Sequence, residues 1–299
     1  MFKKTAIVAG LGLALAATAQ AQQSNDKLQE AVVTSDHLVD TYRWEIEADY
    51  THGEYEFDNF DDTEFDSFSV SGSYFLDDVD TTKGPRSEAA FLDHASDISI
   101  FYSYSEVDDN GIDVDGDDYG ISGRYVTDEA GWIFGGSYTR LEPLDAEIDT
   151  FTLSAGKYIT DNTTLILTYW NGDADEGGDT DGGAIGLEHF WHLTNGGIKV
   201  AANYGMVNVD DADDVDIYNI SGTWYVSHDL GFGASFGRFD GFDGLIDAGG
   251  SGLEVDQYSV FGEWFITRNI AANLAYTYGE VDDTDIESNA ITLGARVRF

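Results

Sequence analysis

The chain has 299 residues, with 57 acidic and 14 basic side chains and a formal net charge of −43 at neutral pH. That balance excludes nucleic acid as a partner, because a polyphosphate needs a basic footprint. There is no cysteine, so no disulfide framework holds the fold.

Taken in chain order, Met1-Phe-Lys3-Lys4 is a short basic stretch, Thr5 to Ala19 is small and apolar, and Ala19-Gln20-Ala21 is an A-x-A cleavage site. Residues 1–21 therefore read as a secretory signal peptide cut after Ala21. No later segment carries about 18 apolar residues in a row, so no spanning helix is expected. An exported chain of this kind enters a membrane only as a closed barrel. Residues 22–41 are mixed, with an apolar patch at Ala31-Val-Val33, and are expected to form a periplasmic tail or a plug.

From residue 42 to 299 apolar and polar residues alternate in strand-length segments. Alternation with period 2 gives each strand one lipid face and one lumen face. The expected lipid faces begin with Tyr42, Trp44, Ile46, Ala48 and Tyr50, then Phe68, Val70, Tyr74 and Leu76, then Ile98, Ile100, Tyr102 and Tyr104. Eleven further segments start near Tyr119, Trp132, Phe151, Leu165, Ile185, Ile198, Tyr218, Leu230, Tyr258, Ile270 and Ile291, the last ending on Phe299. The prediction is an all-β, transmembrane, antiparallel up-and-down barrel of about 14 strands with both termini periplasmic. Pro85 and Pro143 are the only prolines, which suits long uninterrupted ladders.

The connections alternate in length. Short ones fall at 127–131, 160–163, 193–197, 227–229 and 267–269, and long ones near 51–64, 105–117, 140–149, 171–183, 207–216, 239–255 and 279–288. Outer-membrane barrels have short periplasmic turns and long external loops. One segment, 77–96, breaks this rule. It is expected as a periplasmic insert in which Pro85 starts a short helix and Ala89 to Leu92 pack on the barrel rim.

The signal peptide, the Gly84-Pro85-Arg86-Ser87-Glu88-Ala89-Ala90-Phe91-Leu92 stretch after the second strand and the terminal strand ending in Phe299 together resemble a family of Gram-negative outer-membrane porins. The resemblance implies passive diffusion of small solutes across the cell outer membrane. Phe299 resembles the terminal aromatic read by the barrel-assembly machinery. General porins often form homo-oligomers, but no sequence feature here shows such an interface.

Two sets of residues are candidates for function. By parity Arg43, Glu45, Glu47, Asp49, Arg124, Glu188, Lys199, Glu263, Arg296 and Arg298 point into the lumen. Opposed charges in a pore form a filter, or else they are structural ion pairs. The loops hold most of the acids, which focus cations at the mouth and give a cation-preferring porin. Carboxylates there also suit outer-membrane lipid and lipopolysaccharide bridged by Ca²⁺ or Mg²⁺. Glu106, Asp108, Asn110, Gly111 and Asp117 approach the EF-hand spacing; diffuse, weak cation binding is the expectation, with no other cofactor. His189 and His192 lie three apart on one strand, hence on opposite faces, and no catalytic constellation stands out. The alternative readings are a structural or adhesive barrel with cation-binding loops, or a barrel hydrolase.

Overall fold

The computed structural model describes residues 41–57, 63–109, 112–143, 147–174, 179–209, 214–241, 254–282 and 286–299. The signal-peptide and 22–41 expectations lie outside these residues, apart from Thr41. The described residues form fourteen strands: β1 Thr41–Phe57, β2 Thr63–Asp80, β3 Asp97–Asp109, β4 Ile112–Val126, β5 Trp132–Pro143, β6 Ile148–Thr160, β7 Thr163–Ala174, β8 Thr180–Leu193, β9 Gly196–Val209, β10 Val215–Tyr225, β11 Leu230–Asp240, β12 Glu254–Phe265, β13 Ile270–Val281 and β14 Ile286–Arg298. Every strand pairs antiparallel with its sequence neighbours, and β1 pairs with β14, so the barrel is closed with no free edge. The strand count, topology and fold class are those expected from alternation. No described helix is long and apolar enough to cross a membrane.

The outer wall is apolar and uncovered. Leu153 is 67% exposed, and Ile100, Ile121, Leu167, Ile220, Val260 and Leu293 are exposed in the same band. An apolar band of this size around a closed barrel needs hydrocarbon against it. Trp132, Trp191, Trp224 and Trp264 mark the band's edge near the short turns, while Tyr50, Tyr119, Tyr169 and Tyr204 mark the other edge. A charge in the middle of this band is expensive. Leu153→Arg is expected to lower unfolding stability in lipid by about 2–4 kcal/mol, measured by urea titration of the vesicle-inserted barrel.

One face assignment is corrected. Alternation puts Tyr42 toward lipid and Arg43 toward the lumen, whereas Tyr42 is 3% exposed and packs inside with Phe75, Val79 and Ala89. The register of β1 against β2 shifts between Tyr42 and Trp44, a bulge that inserts one residue and reverses the faces below it. Arg43 instead pairs with Asp78 at 2.8 Å in a partly exposed bridge.

The strands are also longer than the apolar alternation suggests. Acid-rich stretches expected as loops continue the ladders: β1 reaches Phe57, β3 and β4 pair up to Asp109 and Ile112, and β6 begins at Ile148. Residues 106–109 and 112–117 are therefore a hairpin rather than an EF-hand loop. Asn110 and Gly111 lie outside the described residues. Glu106 is paired with Asp115 and Asp108 with Asp113 along the backbone ladder. Among the described residues no group of three His, Asp or Glu side chains could hold a metal ion.

Candidate functional site

The lumen has three levels, each set by inward-facing residues. At the short-turn end it is filled by the chain itself. After β2, Arg86–Glu88 form a 3₁₀ turn and Ala89–Leu92 a short helix, α1. Pro85 precedes the turn, as expected. The helix packs within the barrel rather than on its rim: Phe91 and Leu92 are buried with Val126, Ile133, Tyr158, Phe190 and Tyr225 from five strands. His94 closes the helix in the left-handed region (φ 56°), a position glycine usually takes. Its ring stacks on Tyr158 at 3.7 Å, and Nε2 lies 2.9 Å from the Asp161 carbonyl, which offsets the backbone cost.

Polar contacts fix this insert to the wall on several sides. Glu88 forms a buried ion pair with Lys199 on β9 at 3.1 Å and accepts a hydrogen bond from the Tyr225 hydroxyl of β10. Ser87 donates to Glu263 of β12. The Arg86 side chain pairs with Asp229 at 2.6 Å, its N–H donates to the His228 carbonyl, and its own carbonyl accepts from Arg298 at 2.6 Å. Tyr158 of β6 donates to the Phe91 carbonyl at 2.8 Å and accepts from Arg124 of β4 at 2.7 Å.

Beside the insert lies the charged floor. The β1–β14 register places Glu45 opposite Arg298 and Glu47 opposite Arg296. Arg298 donates to Glu45 at 2.5 Å and lies over the rings of Tyr42 and Phe265. Arg296, 2% exposed, sits 2.8 Å from Glu263, 3.7 Å from Glu47 and 3.9 Å from Glu45. Asn273 donates to Glu47 at 2.9 Å and Asp49 at 3.2 Å. Arg124 feels both Asp97 and Glu188. Of the ten expected lumen residues, nine face inward and only Arg43 does not. Lys199, Arg296 and Arg298 each have a carboxylate within 4 Å, but Glu45, Glu47, Asp49, Glu88, Glu188 and Glu263 outnumber the inward cations, so the floor keeps a negative excess. Sequence parity missed Glu88, Arg86 and Tyr158 as members of this network, because the insert's destination depends on contacts far apart in sequence.

Above the floor the wall carries small polar groups. A cavity of about 440 Å³ is lined by Ser122, Ser137, Thr152, Ser154, Thr168, Asn203, Ser235, Gln257, Ser259 and Thr277, with Arg124, Lys199, Glu188 and Arg296 below. At the long-loop end the inward residues become apolar. Phe239, Val255, Val281 and Ile286 are paired in succession across β11 to β14. Phe65, Val107 and Val114 are likewise paired across β2 to β4. Leu141–Ile148 and Val207–Val215 continue the layer. On the remaining wall Trp170 lies flat across Gly182, where a Cβ would fall 2.4 Å from the indole; only glycine admits the ring there.

The acids lie mainly outside this wall. Just beyond the outer tyrosine edge, hydroxyls donate to outward carboxylates on the next strand: Tyr50 to Asp66 at 2.5 Å, Tyr102 to Asp117 at 2.5 Å, Tyr119 to Glu142 at 3.0 Å and Tyr204 to Asp216 at 2.8 Å. Asp149 is held in the same way by Arg140 and then Tyr138, which depress its carboxyl to about 2. The outward carboxylates thus form a negative collar around the mouth, and the lumen adds a smaller negative excess of its own.

A lipid-facing closed barrel with a polar, charged lumen defines the outer-membrane channel class of barrels. The chain belongs to the family described as "Putative general bacterial porin", whose model matches residues 27–177. The fold is similar to that of the Acinetobacter baumannii outer membrane protein Omp33, with 20% identity, 87% of this chain and 99% of that chain covered, and a TM-score of 0.58. It is also similar to the translocator domain of the autotransporter NalP from Neisseria meningitidis, with 9% identity, full coverage of both chains and a TM-score of 0.53. A third likeness is to a mutant of the monoaromatic hydrocarbon channel TodX, with 13% identity, 87% and 90% coverage and a TM-score of 0.52. No curated protein matches the chain. Membership of this porin family places the protein in the outer membrane.

Proposed function

We propose that the protein is a diffusion porin that passes small hydrophilic solutes and ions and prefers cations. The observation that carries this reading is the hydroxyl- and amide-lined cavity above a floor in which carboxylates outnumber cations, inside a wall whose outward charge at the mouth is acidic as well. The partly paired charges of the floor and the negative mouth both enrich cations and repel anions. In this reading the short turns and both ends of the barrel are periplasmic, residues 1–21 are removed on export, and Phe299 serves the assembly machinery. The outward carboxylates and the loops bind Ca²⁺ or Mg²⁺ weakly, shared with lipopolysaccharide. No step needs a catalytic residue.

The test is the reversal potential of the purified barrel in a planar bilayer under a KCl gradient. A potential of the sign for K⁺ preference is expected, and it should shrink as salt rises and screens the mouth. Equal K⁺ and Cl⁻ permeability at low salt would remove the cation preference. The insert in the lumen favours one second reading, a closed structural barrel; a bilayer that stays silent with the insert excised would favour it.

A further inference from the structure

The apolar layer at the long-loop end inverts the usual rule that a channel barrel is polar inside. We infer that this layer is the selective element of the channel, passing small uncharged solutes with an apolar face faster than sugars or hydrated ions, which still cross at a lower rate. The inference rests on the porin reading and deepens it by naming a solute class.

Three observations support it. The residues are inward by register, since they pair directly with one another from strand to strand. They are withdrawn from water: Val255 is 1% exposed, Val281 6% and Val114 7%. They also stand apart from the cavity, whose lining ends at hydroxyls and amides such as Gln257 and Thr277 and includes none of them. Among the described residues, a solute passing between the mouth and the cavity therefore crosses a layer of mostly apolar side chains, broken by Asp118 opposite Leu141 and by Thr63 and Tyr55 beside Phe65. An apolar face crosses such a layer without loss, whereas a hydrated ion must shed water, and a narrow apolar zone can empty of water altogether. The acidic collar sets which ions gather at the mouth; the apolar layer sets how few of them pass.

The alternative role is structural, a set of cross-strand pairs that knits the strand ends together. Conductance and liposome swelling separate the two. The full-length protein would be compared with Val255→Ser/Val281→Ser and Val107→Ser/Val114→Ser, each checked for folding by heat-modifiable migration, and with Val281→Phe, which narrows the layer while keeping it apolar. The serine variants are expected to raise single-channel conductance about threefold or more, and Val281→Phe to lower it. In swelling, the unmodified protein should pass a short aliphatic amide faster than a sugar of similar size, and the serine variants should lose that preference. Folded serine variants with unchanged conductance and unchanged solute order overturn the inference and leave the porin reading standing. Absence of any current or swelling in the unmodified protein and in every variant overturns the porin reading itself, and the inference with it.

Discussion

Arg296→Ala is expected to lower the unfolding free energy by about 3–5 kcal/mol, the cost of leaving buried carboxylates without their cation. Arg296 is 2% exposed, lies within 4 Å of Glu45, Glu47 and Glu263, and has the Phe265 ring 6.0 Å away. Water cannot replace the guanidinium there without entering a closed floor. Urea titration of vesicle-inserted protein, followed by tryptophan fluorescence, measures the loss. Arg296→Ala combined with Glu47→Gln should lose less than Arg296→Ala alone, because one of the stranded charges is then gone. A loss under about 1 kcal/mol would mean that the cluster is solvated and that the seam charges are as weak as surface pairs.

Excising the insert is expected to change both transport and stability. Joining β2 to β3 by a short Gly-Ser link in place of residues 82–94 removes Phe91 and Leu92 from the lumen and frees the wall that Glu88, Ser87 and Arg86 now hold. Conductance should rise about 1.5-fold, because the apolar layer at the other end stays in series with the opened floor. Stability should fall as well, since burying each of those two side chains is worth about 1.5–3 kcal/mol. A milder variant, Glu88→Ala/Lys199→Ala, removes the buried pair on both sides and leaves the chain length unchanged. It should raise the frequency of open events rather than the size of the open state. Single-channel recordings distinguish these outcomes, and an unchanged trace for the excised protein would show that the insert does not limit flow.

Much of this architecture was legible in the alternation. Strand count, the lipid-facing residues and nine of the ten lumen charges follow from period 2 and antiparallel pairing, because a regular strand leaves no other choice of face. Tyr42 and Arg43 escaped because a bulge leaves no mark in residue type. The hairpin arms at Glu106–Asp109 and the start of β6 were hidden by acid density: carboxylates directly opposed across a ladder look like a loop in sequence, and they are tolerated here because outward tyrosine hydroxyls and open water surround them. The apolar layer was hidden for the same reason, its valines being single residues among aspartates. The insert was recognised as a helix from Pro85 and its apolar residues, but its place in the lumen depends on partners such as Tyr225, 137 residues away from Glu88, and no local signal encodes that distance.

The pairing of β1 with β14 also constrains the order of assembly. Glu45 and Arg298 are 253 residues apart, yet they share one of the tightest contacts in the molecule. Loop-closure entropy makes such a contact the most costly to form from an open chain, and contacts of this range slow folding. Until β14 has been made and delivered, β1 presents an unpaired edge capable of pairing with any passing strand. The ring therefore closes only when its last strand arrives, and the arginines of that strand then neutralise the glutamates of the first.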